Sequence, residues 1–349
     1  MIGLGNHPWM NGLFGDDETT QIFAPEAELK RFLQVEAAWT RALGQVHDAP
    51  QADGVAKAIQ TANINPCDLN DGFATDGVPV PVLVKLLKSK IGPELGDWIH
   101  SGLTSQDVMD TALVLALKDV LSVFSKRLKT LDRKLGTLQS SVGSAQIMAY
   151  TRMQPALQTS AVEVVRRWRQ PLPRLMDDLQ KVAETSAIIQ WGGPIGIRDH
   201  PKADQLATAF AKQLGLQDPG QAWHTDRAVI TDIAQLMARI TTLTGKIGED
   251  VALMAVIGPQ QITLSGGGSS AMPHKNNPVK AEALIALSDF AATLLTNLTR
   301  SARHEGFRSG QAWMLEGLTL PNLCVTTGAG LIQTSSLLAS IKRLASNHL

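Results

Sequence analysis

The chain has 349 residues, roughly twice a usual domain of about 150, and its 44% hydrophobic against 18% charged content excludes a disordered chain. Lys plus Arg (32) equal Asp plus Glu (32), so no global field draws in nucleic acid or an anionic membrane, and any anion must be held by a local cluster. Mean hydropathy is near zero and no long uncharged apolar run is present, so no membrane span is expected.

The first hundred residues predict short helices, among them Glu26 to Leu43, separated by Asn63-Ile64-Asn65-Pro66 and by Gly77-Val78-Pro79-Val80-Pro81. A boundary near residue 100 is expected, with a helical N-terminal domain over 1–100 and a bundle of long helices over 101–349. In the second part Leu117, Leu121, Phe124, Leu128, Leu131, Leu135 and Leu138 alternate steps of four and three, the mark of a helix with one apolar seam. Such a helix over 108 to about 140 would be on the order of 50 Å long, more than one chain needs to close a core, and that length suggests helices shared between subunits. A second helix is expected after Pro155, through Val162, Val165 and Trp168, bent or interrupted at Pro171 and Pro173. Further seams run from Ile230 through Ile240 to Met254 and from Leu284 to Leu298. A fifth helix is expected from about Leu320 through Leu338 and Ile341 to the C-terminus. Aromatics make up 5% with a single Tyr, and alternating strand patterns are almost absent, so the expected class is all-α. Cys67 and Cys324 form no metal or redox spacing, and Met1 to Gly5 shows no basic stretch leading into an apolar one, so cytoplasmic residence is expected.

Three polar segments interrupt this apolar chain at helix ends. In His100-Ser101-Gly102-Leu103-Thr104-Ser105-Gln106-Asp107, Thr104 and Asp107 have capping-box spacing, and free N–H groups beside two hydroxyls suit a carboxylate; simple capping explains the same residues. In Tyr150-Thr151-Arg152-Met153-Gln154-Pro155 the Arg152 fork could clamp a carboxylate, and Pro155 suits a first helical turn. The third segment runs from Ser265 through Gly266-Gly267-Gly268 to Ser269-Ser270-Ala271-Met272-Pro273-His274-Lys275-Asn276-Asn277-Pro278. Its glycines suit a lid, and hydroxyls, a cation and an amide follow before Pro278 opens the next helix. It is not a Walker loop, since Lys275 is neither preceded by Gly nor followed by Ser or Thr.

The stretch Gly268 to Pro278 resembles the main signature of the fumarase/aspartase superfamily. His100 to Asp107 resembles its first signature, and Thr151, Gln154 and Ala156 its second. The resemblance implies an all-α homotetramer in which five-helix domains pack into a twenty-helix core and three subunits complete each active site. It makes Ser269 the proton-transfer group on the carbon next to a carboxylate and Lys275 the catalytic cation that steadies the charge developing there. Asn277 is implied beside Lys275, and His100, Thr104, Ser105, Thr151 and Gln154 as substrate contacts. No metal or organic cofactor is implied, and the third, C-terminal domain of larger relatives is expected to be absent.

Where many lyases of this family carry a histidine that protonates the leaving group, this chain has Arg152. A leaving carboxylate needs no such acid, because it is stable as an anion near neutral pH. This favours the branch that lactonises 3-carboxy-cis,cis-muconate, a tricarboxylate, with Arg152 and Arg303 as added anion contacts. Trp191-Gly192-Gly193 and Trp223-His224-Thr225-Asp226-Arg227 also look like that branch, although core tryptophans with helix caps explain them almost as well. A β-eliminating lyase that releases fumarate, of the adenylosuccinate or argininosuccinate lyase type, and a non-catalytic helical scaffold are the competing readings.

Overall fold

Apolar residues spaced by three and four share one stripe only on a helix, and this requirement organises most of the chain. The computed structural model describes residues 7–268, 271–272 and 274–345. The N-terminal helices are α1 (Pro8–Phe14), α2 (Asp17–Ile22), α3 (Pro25–Val46), α4 (Gln51–Gln60), α5 (Asn70–Asp76), α6 (Val80–Ile91) and α7 (Pro93–Gly96). They lead into α8 (Ser105–Ser141), a hairpin of β1 (Gln146–Thr151) and β2 (Gln154–Ser160), α9 (Ala161–Arg169), α10 (Leu172–Thr185) and α11 (Ala203–Leu214). The chain continues through α12 (Ala228–Ile257), β3 (Ile262–Leu264), α13 (Val279–Ser301), α14 (Gly310–Ser340) and β4 (Ile341–Leu344), which pairs with β3. The all-α expectation holds, and no helix among the described residues is long and apolar enough to cross a membrane.

The bundle is built from the predicted seams. Leu117, Leu121, Phe124, Leu128, Leu131 and Leu135 are buried on α8, Ile230 through Val251 on α12, and Leu284 through Leu298 on α13. Helix α12 packs along α13 and α13 along α14, while α8 lies against α9, α10 and α14. Gly245 and Gly248 let α12 and α13 approach closely: a Cβ at Gly245 would fall 2.5 Å from the Ser288 Cβ, and one at Gly248 would fall 2.7 Å from the Ala281 carbonyl oxygen. Helix α3 packs on α4, on α8 and on α11, with Trp39 and Phe210 edge to face at 5.3 Å. Helix α11 has no counterpart in the sequence expectation.

Two expectations are corrected. Pro155 does not open a helix. It lies in β2 opposite Tyr150, and α9 begins only at Ala161, after a break in the chain direction made by Arg152 (φ 48°) and Met153 (φ 65°). Two successive residues in the left-handed region form a tight two-residue hairpin turn, and a proline is tolerated in such an exposed two-stranded ribbon. The last helix also differs from its expected bounds. It starts at Gly310, where the Ser309 hydroxyl accepts from the Ala312 N–H at 3.1 Å, runs through Pro321, and stops at Ser340 because Ile341–Leu344 pair with β3. Pro171 and Pro173 do interrupt the second helix, splitting it into α9 and α10.

At the end where α8 starts, the bundle is locked by a buried ion cage. Arg227, just ahead of α12, donates through Nη1 and Nη2 to the Asp110 carboxylate on α8 at 2.7 and 3.1 Å. It also donates through Nε and Nη2 to Glu316 on α14 at 2.9 and 2.5 Å. The guanidinium lies over the Trp223 ring at 4.7 Å. Gln106 and Gln190 side-chain amides donate to Asp110 at 3.1 and 3.2 Å. Burial by itself would pull the Arg227 pKa down, and the two carboxylates more than offset this and hold it above its ordinary value. Replacing the cation leaves two buried carboxylates facing each other. Arg227→Met is therefore expected to destabilise the fold by about 3–5 kcal/mol, read from urea unfolding; an unshifted midpoint would show that the cage contributes nothing net.

Candidate active site

The first polar segment is held from four sides. His100 adopts φ 61°, in the left-handed region, with its Nδ1 2.6 Å from Oε1 of the buried Glu36. The indole N–H of Trp39 donates to the Ser101 carbonyl at 2.6 Å, and that of Trp191 to the Gly102 carbonyl at 3.3 Å. Thr104 caps α8 as its sequence predicts, its N–H donating to Asp107 Oδ2 at 3.0 Å. Thr104 and Ser105 are half-buried at the helix start, where N–H groups face outward. The Gly192 and Gly193 N–H groups donate to Asp107 Oδ1 and Oδ2 at 2.9 and 3.0 Å. Arg303 joins this end through backbone pairing of its residue with Asp226, and it is exposed.

Thr151, Arg152 and Gln154 sit at the β1–β2 turn, beyond the other end of α8. The glycine segment lies at that same end. The Gln261 side-chain amide donates to the Met148 carbonyl at 3.2 Å, and the Ser265 N–H to the Ser340 carbonyl at 2.8 Å. Gly266 and Gly267 have φ of 87° and 80°, a conformation that side chains disfavour. The Asn277 N–H donates to the Gly267 carbonyl at 2.8 Å, and the Asn276 side chain to the Leu264 carbonyl at 2.6 Å, so the loop is drawn together at its neck. Lys275 is exposed beyond that neck. Ser269, the expected proton-transfer residue, lies outside the described residues.

One chain therefore groups the expected residues into two sets. His100, Thr104, Ser105 and Arg303 share one end, and Thr151, Arg152, Gln154, Lys275 and Asn277 share the other. Between them stand the 37 residues of α8, about 55 Å at 1.5 Å per residue. The first set brings two hydroxyls and one cation and the second two cations and one hydroxyl, so neither alone matches three carboxylates with a cation each. Among the described residues no group of three or more His, Cys, Asp or Glu gathers as a metal site would.

Several residues that shape the first set go unassigned in the sequence reading. Asp107 is anticipated only as a cap partner, and Trp223 to Arg227 only as a branch-like pattern. The structure links them: His224 Nε2 is 2.8 Å from Asp107 Oδ1, and Arg227 joins Asp110 to Glu316. The available signal was the placement of Asp110 and Glu316 on otherwise apolar helical faces. A lone carboxylate there requires a buried partner. His304, next to Arg303, has both ring nitrogens buried without a hydrogen-bond partner, and burial followed by the Arg227 charge lowers its pKa.

With this geometry in hand, the comparisons with known proteins are specific. The family described as "Lyase" matches residues 15–289. The chain is 29% identical to the 3-carboxy-cis,cis-muconate cycloisomerase of Acinetobacter baylyi over 96% of its own length and 77% of the relative. It is 30% identical to that of Pseudomonas aeruginosa over 92% of its length and 72% of the relative. The crystal structure of the 3-carboxy-cis,cis-muconate lactonizing enzyme from Pseudomonas putida matches with a TM-score of 0.88 at 28% identity, covering 97% of this chain and 77% of that one. On this evidence the chain belongs to the lyase family of the fumarase/aspartase superfamily.

Proposed function

We propose that the protein is a 3-carboxy-cis,cis-muconate cycloisomerase that closes its substrate to 4-carboxymuconolactone in the protocatechuate branch of the β-ketoadipate pathway. The observation that carries this reading is the likeness, at 29 and 30% identity over 96 and 92% of the chain, to proteins named 3-carboxy-cis,cis-muconate cycloisomerase. Arg152 supports it, since the residue at the hairpin turn is a fixed cation rather than a proton donor for a leaving group.

In the reaction one substrate carboxylate oxygen bonds to a carbon of the conjugated diene. The displaced π pair moves to the carbon beside a second carboxylate, which becomes an aci-carboxylate. Lys275 and Asn277 steady that charge, and Ser269 delivers a proton to carbon and regains one from solvent. The trianion becomes a dianionic lactone with net uptake of one proton. His100, Thr104, Ser105, Thr151, Arg152, Gln154 and Arg303 hold the substrate's carboxylates. No cofactor takes part, and residence in the cytoplasm belongs to the same reading.

The active site is completed by antiparallel packing of chains in a homotetramer, so that the hydroxyl end of one meets the cationic ends of others. Two observations support this arrangement. The helices hold the two residue sets on the order of 50 Å apart within one chain. The hairpin that carries Arg152 also exposes Met153 (71%) and Leu157 (76%), more apolar surface than a free two-stranded ribbon sustains.

Incubation with 3-carboxy-cis,cis-muconate is expected to remove the conjugated-diene absorbance with no fumarate formed; fumarate release from succinate-linked substrates would move the assignment to a β-eliminating lyase. Ser269→Ala is expected to lower kcat by about 10²–10⁴-fold with assembly retained, and near-normal turnover would reject its proton-transfer role. Co-expression of Ser105→Ala and Lys275→Ala chains, each inactive alone, is expected to restore about a quarter of the sites, because sites drawing both ends from unaltered chains then form. Absence of any recovery would count against shared sites.

A further inference from the structure

Asp107 makes more contacts than a helix cap requires. Its carboxylate is fully buried and receives four hydrogen bonds: Oδ1 from Gly192 N–H at 2.9 Å and from His224 Nε2 at 2.8 Å, and Oδ2 from Thr104 N–H and Gly193 N–H, both at 3.0 Å. No lysine or arginine pairs with it, since the neighbouring Arg227 is committed to Asp110 and Glu316. Three backbone N–H groups and the His224 Nε2 face its two oxygens, an arrangement that suits a carboxylate accepting four hydrogen bonds. Burial pushes the Asp107 pKa up, and the bonds from His224, Thr104 and Gly193 oppose that push.

His224 completes the set. Its Nδ1 is buried without a partner, and a Cβ on Gly196 would lie 3.2 Å from that nitrogen. With a carboxylate at Nε2 and no acceptor at Nδ1, the tautomer that leaves no buried N–H unpaired is the one protonated at Nε2. The backbone around His224 is itself fixed, because Gln106 Nε2 donates to the His224 carbonyl at 3.0 Å and the Trp223 N–H donates to Gln190 Oε1 at 2.9 Å. One carboxylate therefore ties the Thr104 turn to two turns far away in sequence.

We infer that Asp107, with His224 as its donor, is a positioning residue that sets the Thr104–Ser105 hydroxyls and the outward N–H groups of α8 for substrate carboxylate, acting through the Gly192–Gly193 turn. This deepens the proposed function and rests on its placement of Thr104 and Ser105 against substrate. Displacements of about 1 Å in such a positioning set can cost on the order of 10²-fold in rate.

The test uses three variants of the full chain. Asp107→Asn presents an amide N–H to at least one of the three backbone donors. His224→Leu removes the imidazole donor, and His224→Gln keeps a side-chain N–H that can reach the carboxylate. Asp107→Asn is expected to lower kcat/KM for 3-carboxy-cis,cis-muconate by about 10²-fold and His224→Leu by about tenfold, with much of each loss in a raised KM, while His224→Gln recovers most of it. A fold defect alone lowers kcat by reducing the active fraction and leaves KM unchanged, so unchanged KM values, or equal losses in the Leu and Gln variants, would overturn the inference. Amide hydrogen exchange needs no substrate and separates this inference from the proposed activity. Faster exchange at 101–107 in Asp107→Asn and His224→Leu, with near-normal exchange in His224→Gln, is expected; unaltered exchange in all three would reject the positioning role even if the cycloisomerase assay succeeds.

Discussion

The length of the bundle helices is the constraint from which the rest follows. A helix of 37 residues is held straight by backbone hydrogen bonds at about 1.5 Å of rise per residue, and no side chain spans the distance between its ends. Polar groups placed beyond opposite ends of such a helix cannot act on one small molecule from a single chain. The 30-residue α12 repeats the constraint, with Arg227 ahead of its first turn and the β3 strand after its last. On the proposed function, chemistry that needs both groups is assembled between chains, and the apolar seams that make the helices long also bring their ends to the surface.

At the end where α8 begins, the buried carboxylates of Asp107, Asp110 and Glu316 are each held by several donors. Asp110, Arg227 and Glu316 join three helices, and Asp107 joins three turns. Buried charges of this kind add little net stability compared with apolar packing, but a change in geometry leaves one of them unpaired at high cost. That asymmetry suits a region whose task is to hold hydroxyl and N–H donors at fixed positions. The left-handed backbone of His100 fits the same logic, since its cost is met by Glu36 below it and by the two indoles that take the Ser101 and Gly102 carbonyls.

The bundle was legible in the sequence because burial on one helical face imposes a period, and Leu117 to Leu135 or Leu284 to Leu298 display it without interruption. The Thr104 cap was legible because Thr and Asp at that spacing satisfy local donors. The hairpin was not. Its turn uses Arg152 and Met153 in the left-handed region where Asn-Gly is the usual signal, and only Ile147 of its first strand is buried, so no alternation marks the strands. Helix α11 escaped notice because it is short and its apolar face meets α3, some 160 residues away in sequence, a contact that no local pattern announces. The Asp107 and Arg227 networks were hidden for the same reason: the partners that tie them to other turns and helices lie more than 80 positions away along the chain.

The arginines at the α8 end separate a structural task from a recognition task. Arg227 is fully buried and its charge is matched by two carboxylates, so it is not presented to a ligand. Arg303, Arg152 and Lys275 are exposed, and among the described residues no carboxylate is paired with any of them. A cation kept in water without a protein counter-ion retains its full capacity to bind an anion, and its desolvation is deferred until the anion arrives. On the proposed function the substrate brings three carboxylates to these three cations, two of them from the hairpin and loop end and one from the hydroxyl end. Neither end could neutralise the trianion by itself, so tight binding would appear only once chains had assembled, and a chain of zero net charge would then hold a highly charged substrate through local density alone.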